Sequence, residues 1–166
     1  MYLGLNPDGY LLPGSLERAH TFLTHKQKAF LCEMNTEPIA HPKWYDPITG
    51  LTDWVSGVAF FIDEAAFNLL EGFDNNFPMY CEDVDLSLKA RQLNRKIIYA
   101  PKSIILHSVS QSLGEHSYKK NIMKLKNQLK IFWKHATGIQ LISISFYWLL
   151  FHLPYQLIRW LYLRKK

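Results

Sequence analysis

No acidic residue follows Glu115 in this 166-residue chain. Residues 116–166 hold ten Lys/Arg and no Asp or Glu, while residues 1–115 hold nine Lys/Arg and all 14 acids. The net charge of +5 therefore conceals −5 followed by +10, and two segments so different in sign predict two different jobs. Cysteine is nearly absent as well. Cys32 and Cys81 are the only two, which excludes a cysteine-built metal centre or a disulfide-stapled secreted scaffold and predicts reduced core thiols in a cytosolic compartment. No basic stretch precedes an apolar run near Met1, so a signal peptide is not expected. Apolar residues make up 48% of the chain and aromatics 14%, enough for one domain with a real core and for ring-lined surfaces.

Residues 1–5 read as a short apolar strand running into a turn at Asn6-Pro7-Asp8-Gly9. Ser15 is placed to N-cap a helix over 16–25, with Leu16, Ala19, Phe22 and Leu23 on one face. Strands are predicted at 28–34 and 54–62, separated by a long proline-punctuated loop over 36–53, a length that usually serves function. A short helix over 63–70 ends near Gly72, and an acidic helix covers 83–93 with Asn94 as a left-handed cap. Two last strands, 96–100 and 103–107, are expected to be broken by Pro101. The order β-α-β-β-α-α-β-β predicts an α/β fold with a mixed sheet, opening on a strand with an exposed edge.

Tyr80-Cys81-Glu82-Asp83-Val84-Asp85 packs three carboxylates into four positions. Like charges this close raise the energy of the fold unless a cation, a proton or a helix N-terminus compensates. The cluster is thus a candidate for general-base or metal chemistry, and equally the acidic first turn of a helix.

Six segments match one family in the same order: Leu5-Asn6-Pro7-Asp8-Gly9; His41-Pro42-Lys43 with Tyr45-Asp46-Pro47 and Thr49; Trp54-Val55-Ser56-Gly57; Gly72-Phe73-Asp74; Glu82-Asp83-Val84-Asp85-Leu86-Ser87; and Tyr99-Ala100-Pro101 followed by His107. Through these the chain resembles the C-terminal part of family 2 glycosyltransferases, inverting enzymes of the GT-A nucleotide-diphospho-sugar transferase fold. The bacterial rhamnosyltransferase-like members that build surface polysaccharides are the nearest comparison. The resemblance implies a partial GT-A fold and transfer of a sugar from a nucleotide-diphosphate donor, dTDP- or UDP-linked, to a lipid-linked or polysaccharide acceptor.

By position in the motifs, Asp83 resembles the family's general base, with Glu82 and Asp85 beside it; Asp85 alternatively caps the helix or binds an acceptor or a basic side chain. Asp8 resembles the metal-binding carboxylate, Asn6 its neighbour, and His107 a third ligand to the metal or diphosphate, with Mg²⁺ or Mn²⁺ as the cation. Asn6 stands where the commoner residue is Asp, which removes a charge from that site. Trp54, Ser56 and Gly57, with His41 and Lys43, resemble the donor- and acceptor-binding residues. Each has a plainer reading: Asp8 as a turn residue, His107 as a hydrogen-bonded strand end, Trp54 as half core, His41 and Lys43 as a solvated loop. In this family a nucleotide-binding half precedes the first motif, yet five residues precede Asn6 here. The expectation is a truncated product, a fragmentary gene model or half of a split enzyme; the alternative function is an inactive membrane-bound remnant or interaction module.

Two domains follow from charge and motif extent, a catalytic part over 1–115 and a basic, aromatic helical tail over 116–166. No formally charged residue occurs between Ala136 and Ile158, and about 20 apolar residues span a bilayer. His152, Gln156 and Arg159 nevertheless recur at helical spacing, which favours a helix lying in the membrane interface over one crossing it. Lysines over 119–134, with Arg159, Arg164, Lys165 and Lys166, suit an anionic membrane surface on the cytoplasmic side, peripheral or single-pass. The concentration of Leu, Ile, Trp and Phe speaks for lipid over nucleic acid.

Overall fold

Alternation along the central strands sorts their side chains onto two faces. In the computed structural model, which describes residues 1–25, 29–107 and 118–163, a five-stranded mixed sheet has the order β1-β4-β3-β5-β2. The strands are β1 (Tyr2–Leu5), β2 (Gly9–Leu11), β3 (Leu31–Glu37), β4 (Ala59–Ile62) and β5 (Ile97–His107). Only β3 and β5 run parallel; β1–β4, β3–β4 and β2–β5 are antiparallel. Cys32, Met34, Ala59, Phe61, Ile98 and Ala100 face α1 (Ser15–His25), whose Ala19 and Leu23 complete one core. Leu31, Phe60, Ile62 and Ile97 face the other way, against Ala66 of α2 (Glu64–Leu69) and Leu86 and Ala90 of α3 (Glu82–Gln92). The result is an α/β three-layer arrangement in which each fully buried aliphatic contributes roughly 1.5–3 kcal/mol.

Two helix ends are closed by side chain or backbone, the second by the residue expected. Asp63 Oδ1 accepts from Ala65 N and Ala66 N and so caps α2. Asn94, at φ +53°, closes α3 with bonds from Asn94 N to Arg91 O and from Arg95 N to Ala90 O.

Four expectations are corrected. β2 occupies residues expected to be turn and loop, because Gly9–Leu11 pairs with 105–107 of β5. Pro101 does not break the last strand: Met34 pairs with Ala100 and Asn35 with Ile104, so 101–103 bulge out of an otherwise continuous β5. A bulge tolerates a residue without an N–H, and Arg18 Nε fills it by donating to Lys102 O at 2.7 Å. Ser15 does not cap its own helix. Its hydroxyl donates to Ile104 O at 2.6 Å and accepts from Ile104 N at 3.2 Å, clamping α1 to β5 beside the bulge. Leu16, placed on the buried face by periodicity, is instead 39% exposed and lines an open apolar groove with Leu3 and Phe61.

A further correction concerns residues 54–58, expected to be strand. β4 begins only at Ala59, and the preceding segment is a strap held by side chains. Gly50, in the loop that leads to it, sits at φ +77°, where a Cβ would lie 2.7 Å from Phe22 Cζ and 3.0 Å from Tyr99 O. Gly50→Ala is expected to cost roughly 2–4 kcal/mol, read as a lower urea midpoint with unchanged slope.

The chain divides into two compact units, Met1–Asn127 and Gln128–Lys166. α4 (Tyr118–His135) begins in the first unit and ends in the second. In the second, α5 (Ile139–Tyr147), a π-turn at Trp148–His152 and α6 (Leu153–Leu163) follow one another, and one apolar helix covers Ile139–Tyr162. Its 24 residues correspond to a length of about 36 Å, more than the hydrocarbon thickness of a bilayer. The polar stripe is present: Gln156 Nε2 lies 3.5 Å from His152 Nε2, and His152 lies against Trp148. Lys28, the 115/116 boundary and Arg164, Lys165 and Lys166 lie outside the described residues.

Candidate active site

Five backbone groups of the strap have partners from other segments. Trp54 O accepts from Lys43 Nζ at 2.9 Å, Val55 N donates to Ser87 Oγ at 3.1 Å, and Ser56 N donates to Glu33 Oε2 at 2.7 Å. Gly57 N donates to Asp83 Oδ2 at 2.7 Å, and Val58 O accepts from Asn6 N at 2.9 Å. Buried backbone polar groups need partners, and here carboxylates, a hydroxyl and an ammonium replace a neighbouring strand. That is why an apolar, β-rich sequence is not a strand.

Asp83 stands in the first turn of α3, its Oδ1 accepting from Val84 N at 2.8 Å. Burial pushes its carboxyl above the ordinary range, the Gly57 and Val84 N–H groups pull it down, and Glu33 adds to the upward push. Glu82 is also pushed up, chiefly by burial, and its Oε2 is buried without a hydrogen-bond partner among the described residues. A Cβ on Gly57 would lie in ordinary contact with Glu82 Oε1 at 3.4 Å and Asp83 Oδ2 at 3.5 Å, so Gly57 borders both carboxylates. Asp85 is turned away from them. It is fully buried and pairs with Lys89 at 3.3 Å, while Lys89 donates to Leu70 O and Gly72 O. Of the three acids, Asp83 and Glu82 share a site and Asp85 pins α3 to the end of α2.

The turn into α3 is strained. Tyr80 and Cys81 both adopt positive φ, +65° and +70°, costly for residues with a Cβ and a feature that clusters at functional sites. Asn127 of α4, almost fully buried, holds it by donating from Nδ2 to Met79 O at 2.7 Å and Tyr80 O at 2.9 Å. Cys81 is half-buried at this turn and not in the core, its thiol pushed up to about 11 by burial. Cys32 is the core thiol expected, pushed up to about 12.

Asp8 and His107 meet across the β2–β5 pair, Nε2 to Oδ1 at 3.3 Å, and Asn6 lies two residues before Asp8 in the same turn. Asn6 N reaches Val58 O, and Gly57, one residue back along the strap, holds Asp83. Two hydrogen bonds and one residue step therefore join the turn bearing Asp8 to the acidic end of α3. No cluster of three or more His, Cys, Asp or Glu suited to a metal exists among the described residues. One carboxylate and one imidazole would leave a cation to take its remaining ligands from substrate oxygens and water, and the imidazole suits Mn²⁺ better than Mg²⁺.

His41 and Lys43 diverge. His41 is partly exposed, with Nε2 3.3 Å from Ser56 Oγ and Nδ1 3.5 Å from both Thr36 Oγ1 and Glu33 Oε1. Lys43 points inward, its side chain 2% exposed, against Glu33 and over the Trp54 ring at 4.0 Å. Burial lowers its pKa, and Glu33 opposes the shift.

Over 61 residues the chain is 34% identical to N-acetylglucosaminyl-diphospho-decaprenol L-rhamnosyltransferase of Mycobacterium tuberculosis, in strains CDC 1551 / Oshkosh and ATCC 25618 / H37Rv alike. That segment is 37% of this chain and 20% of the relative. Over 57 residues it is 32% identical to rhamnosyltransferase WbbL of Escherichia coli strain K12, covering 34% of this chain and 22% of that protein. The chain is similar, in part, to rhamnosyltransferases. It spans about a fifth of the length of these curated relatives. No family model matches it.

A glycosyltransferase-like relationship directs attention to two residues that motif reading passed over. Glu33 is an acid flanked by Leu31, Cys32 and Met34 in a strand buried on both faces, and that interruption of an apolar run was its only signal. Asn127 had none, since a polar residue in a lysine-rich helix is unremarkable until the turn it holds is seen.

Proposed function

We propose that this chain carries the catalytic C-terminal half of an inverting, family 2, GT-A-type glycosyltransferase that moves a sugar, rhamnose by the relatives' names, from a nucleotide-diphosphate donor to a lipid-linked or polysaccharide acceptor. One observation supports this most: a carboxyl pushed up by burial, Asp83, is held at a strap linked to the turn that bears Asp8 and His107. Inverting transfer needs a base to take the proton of the attacking acceptor hydroxyl. Asp83 fills that role with Glu82 beside it, and His41, Lys43, Trp54, Ser56 and Gly57 are the candidates for binding donor or acceptor. Asp8 and His107, with Asn6 alongside, would hold a divalent cation. When bound, the cation supplies charge to stabilise the departing diphosphate. The catalytic part extends over 1–115 and the basic tail over 116–166, with α4 lysines toward anionic headgroups and Ile139–Tyr162 in or across the cytoplasmic membrane.

The test is calorimetric titration of an enzyme containing this chain with dTDP- and UDP-sugars in Mn²⁺, beside a transfer assay with a polyprenyl-diphosphate-linked acceptor in anionic vesicles. Saturable donor binding and product formation are expected. Vesicle binding with neither donor binding nor transfer would replace this reading with a non-catalytic membrane-bound module.

A further inference from the structure

We propose that Glu33, held by Lys43, is the positioning residue that fixes the strap from which the base Asp83 hangs. The inference rests on the reading of Asp83 as base and adds a residue that neither motif nor relative assigns. Its ground is geometric. Glu33 and Asp83 come from elements fifty residues apart, yet their carboxylates accept from the consecutive amides Ser56 N and Gly57 N, each at 2.7 Å. Only the Ser56 Cα lies between the two amides, so a displacement of one is passed within a single residue to the other.

Glu33 is itself rigidly placed. It lies on β3, the central strand, between β4 and β5, and alternation turns it to the face that carries α3. Its side chain is 1% exposed, and a buried carboxylate persists only where it is paired. Lys43 supplies the pairing: its ammonium bonds Glu33 Oε2 and also Trp54 O, so the counter-ion grips the same strap two residues earlier. His41 closes the far side, reaching both Glu33 Oε1 and Ser56 Oγ. The strap is thus tied to the rigid centre of the sheet, and Asp83 is tied to the strap. A base must sit within hydrogen-bond reach of the proton it takes, and displacements near 1 Å are costly to rate. The charged or titratable groups facing Asp83 are Glu82 and Cys81 on its own turn, and Glu33 and Lys43 across the strap.

Two variants of the full chain test this by NMR, without need of turnover. E33M/K43M removes both buried charges together, which keeps the fold, and deletes the acceptor for Ser56 N. Amide hydrogen exchange at Ser56 and Gly57 is expected to quicken at least about tenfold while Cys32 and Phe61 stay protected. E33Q keeps an acceptor but loses the negative charge, so the Asp83 carboxyl carbon is expected to titrate at lower pH than in the native chain. Unchanged Gly57 exchange in folded E33M/K43M, or an unmoved Asp83 titration in E33Q, overturns the proposal. In a transfer-competent enzyme, E33M/K43M is expected to lower kcat about 10–100-fold with little change in acceptor KM. Turnover retained by D83N would remove the base reading and leave the exchange result standing, so the two failures are distinguishable.

Discussion

With Asp83 as the proposed base, Asp83→Asn in an enzyme containing this chain is expected to lower sugar transfer by about 10²–10⁴-fold and to leave nucleotide-sugar binding intact, the range for loss of a positioned general base. The substitution is nearly isosteric, and the asparagine carbonyl oxygen can still accept from Gly57 N, so the strap and the first turn of α3 keep their geometry. What disappears is the lone pair that takes the proton. The same residue sets the acid side of the pH–rate profile. Burial, reinforced by Glu33, holds its carboxyl above the ordinary aspartate value near 3.9. Activity therefore falls as pH drops through that raised value, earlier than a solvated aspartate would allow. The measurement is kcat/KM against pH for an active enzyme containing this chain, with donor affinity read by calorimetry. Turnover within tenfold of the native enzyme in D83N would sink the assignment.

Asp85→Ala is expected to destabilise the first unit and to leave the chemistry proposed for Asp83 unaffected. Asp85 is fully buried and its partner Lys89 mostly so, and removing one member of a buried pair costs roughly 2–4 kcal/mol. Lys89 still donates to Leu70 O and Gly72 O, which keeps the loss toward the lower end and prevents an isolated ammonium. A fall of roughly 5–10 °C in the unfolding midpoint is expected by calorimetry. Residual folded D85A should bind donor normally and, in an active enzyme, turn over with an unshifted acid limb. A shifted limb at unchanged stability would return Asp85 to the catalytic group. The contrast with D83N separates two acids that are two residues apart in sequence and opposite in role.

Motif order was legible because it records local chemistry. The acidic first turn of α3, the left-handed Asn94 and the core pair Ala19 and Leu23 all follow from residue type and spacing within one element. The misreadings share a cause: each involved a partner far along the chain. Ser15 had every local mark of a cap, yet Ile104 claims its hydroxyl. Pro101 had every mark of a strand break, yet β5 accommodates it by bulging out 101–103 opposite Met34/Asn35 of β3. Lys43 read as a solvated or acceptor-facing lysine, yet Glu33 draws it inside.

By itself, the amino-acid sequence determined the α/β class, the division of charge at about residue 115, the length and apolarity of the tail helix and the identity of the acidic cluster, since these depend on composition, period and neighbours. Only the tertiary structure decided which acids share a site. Helix α3 can bury Asp85 against Lys89 only by turning Asp83 and Glu82 toward the strap, and the strap exists only because Glu33, Lys43, Ser87 and Asn6 meet there from four separate segments. Burial and long-range hydrogen bonding assign those roles, and neither is written in the spacing of residues along a chain.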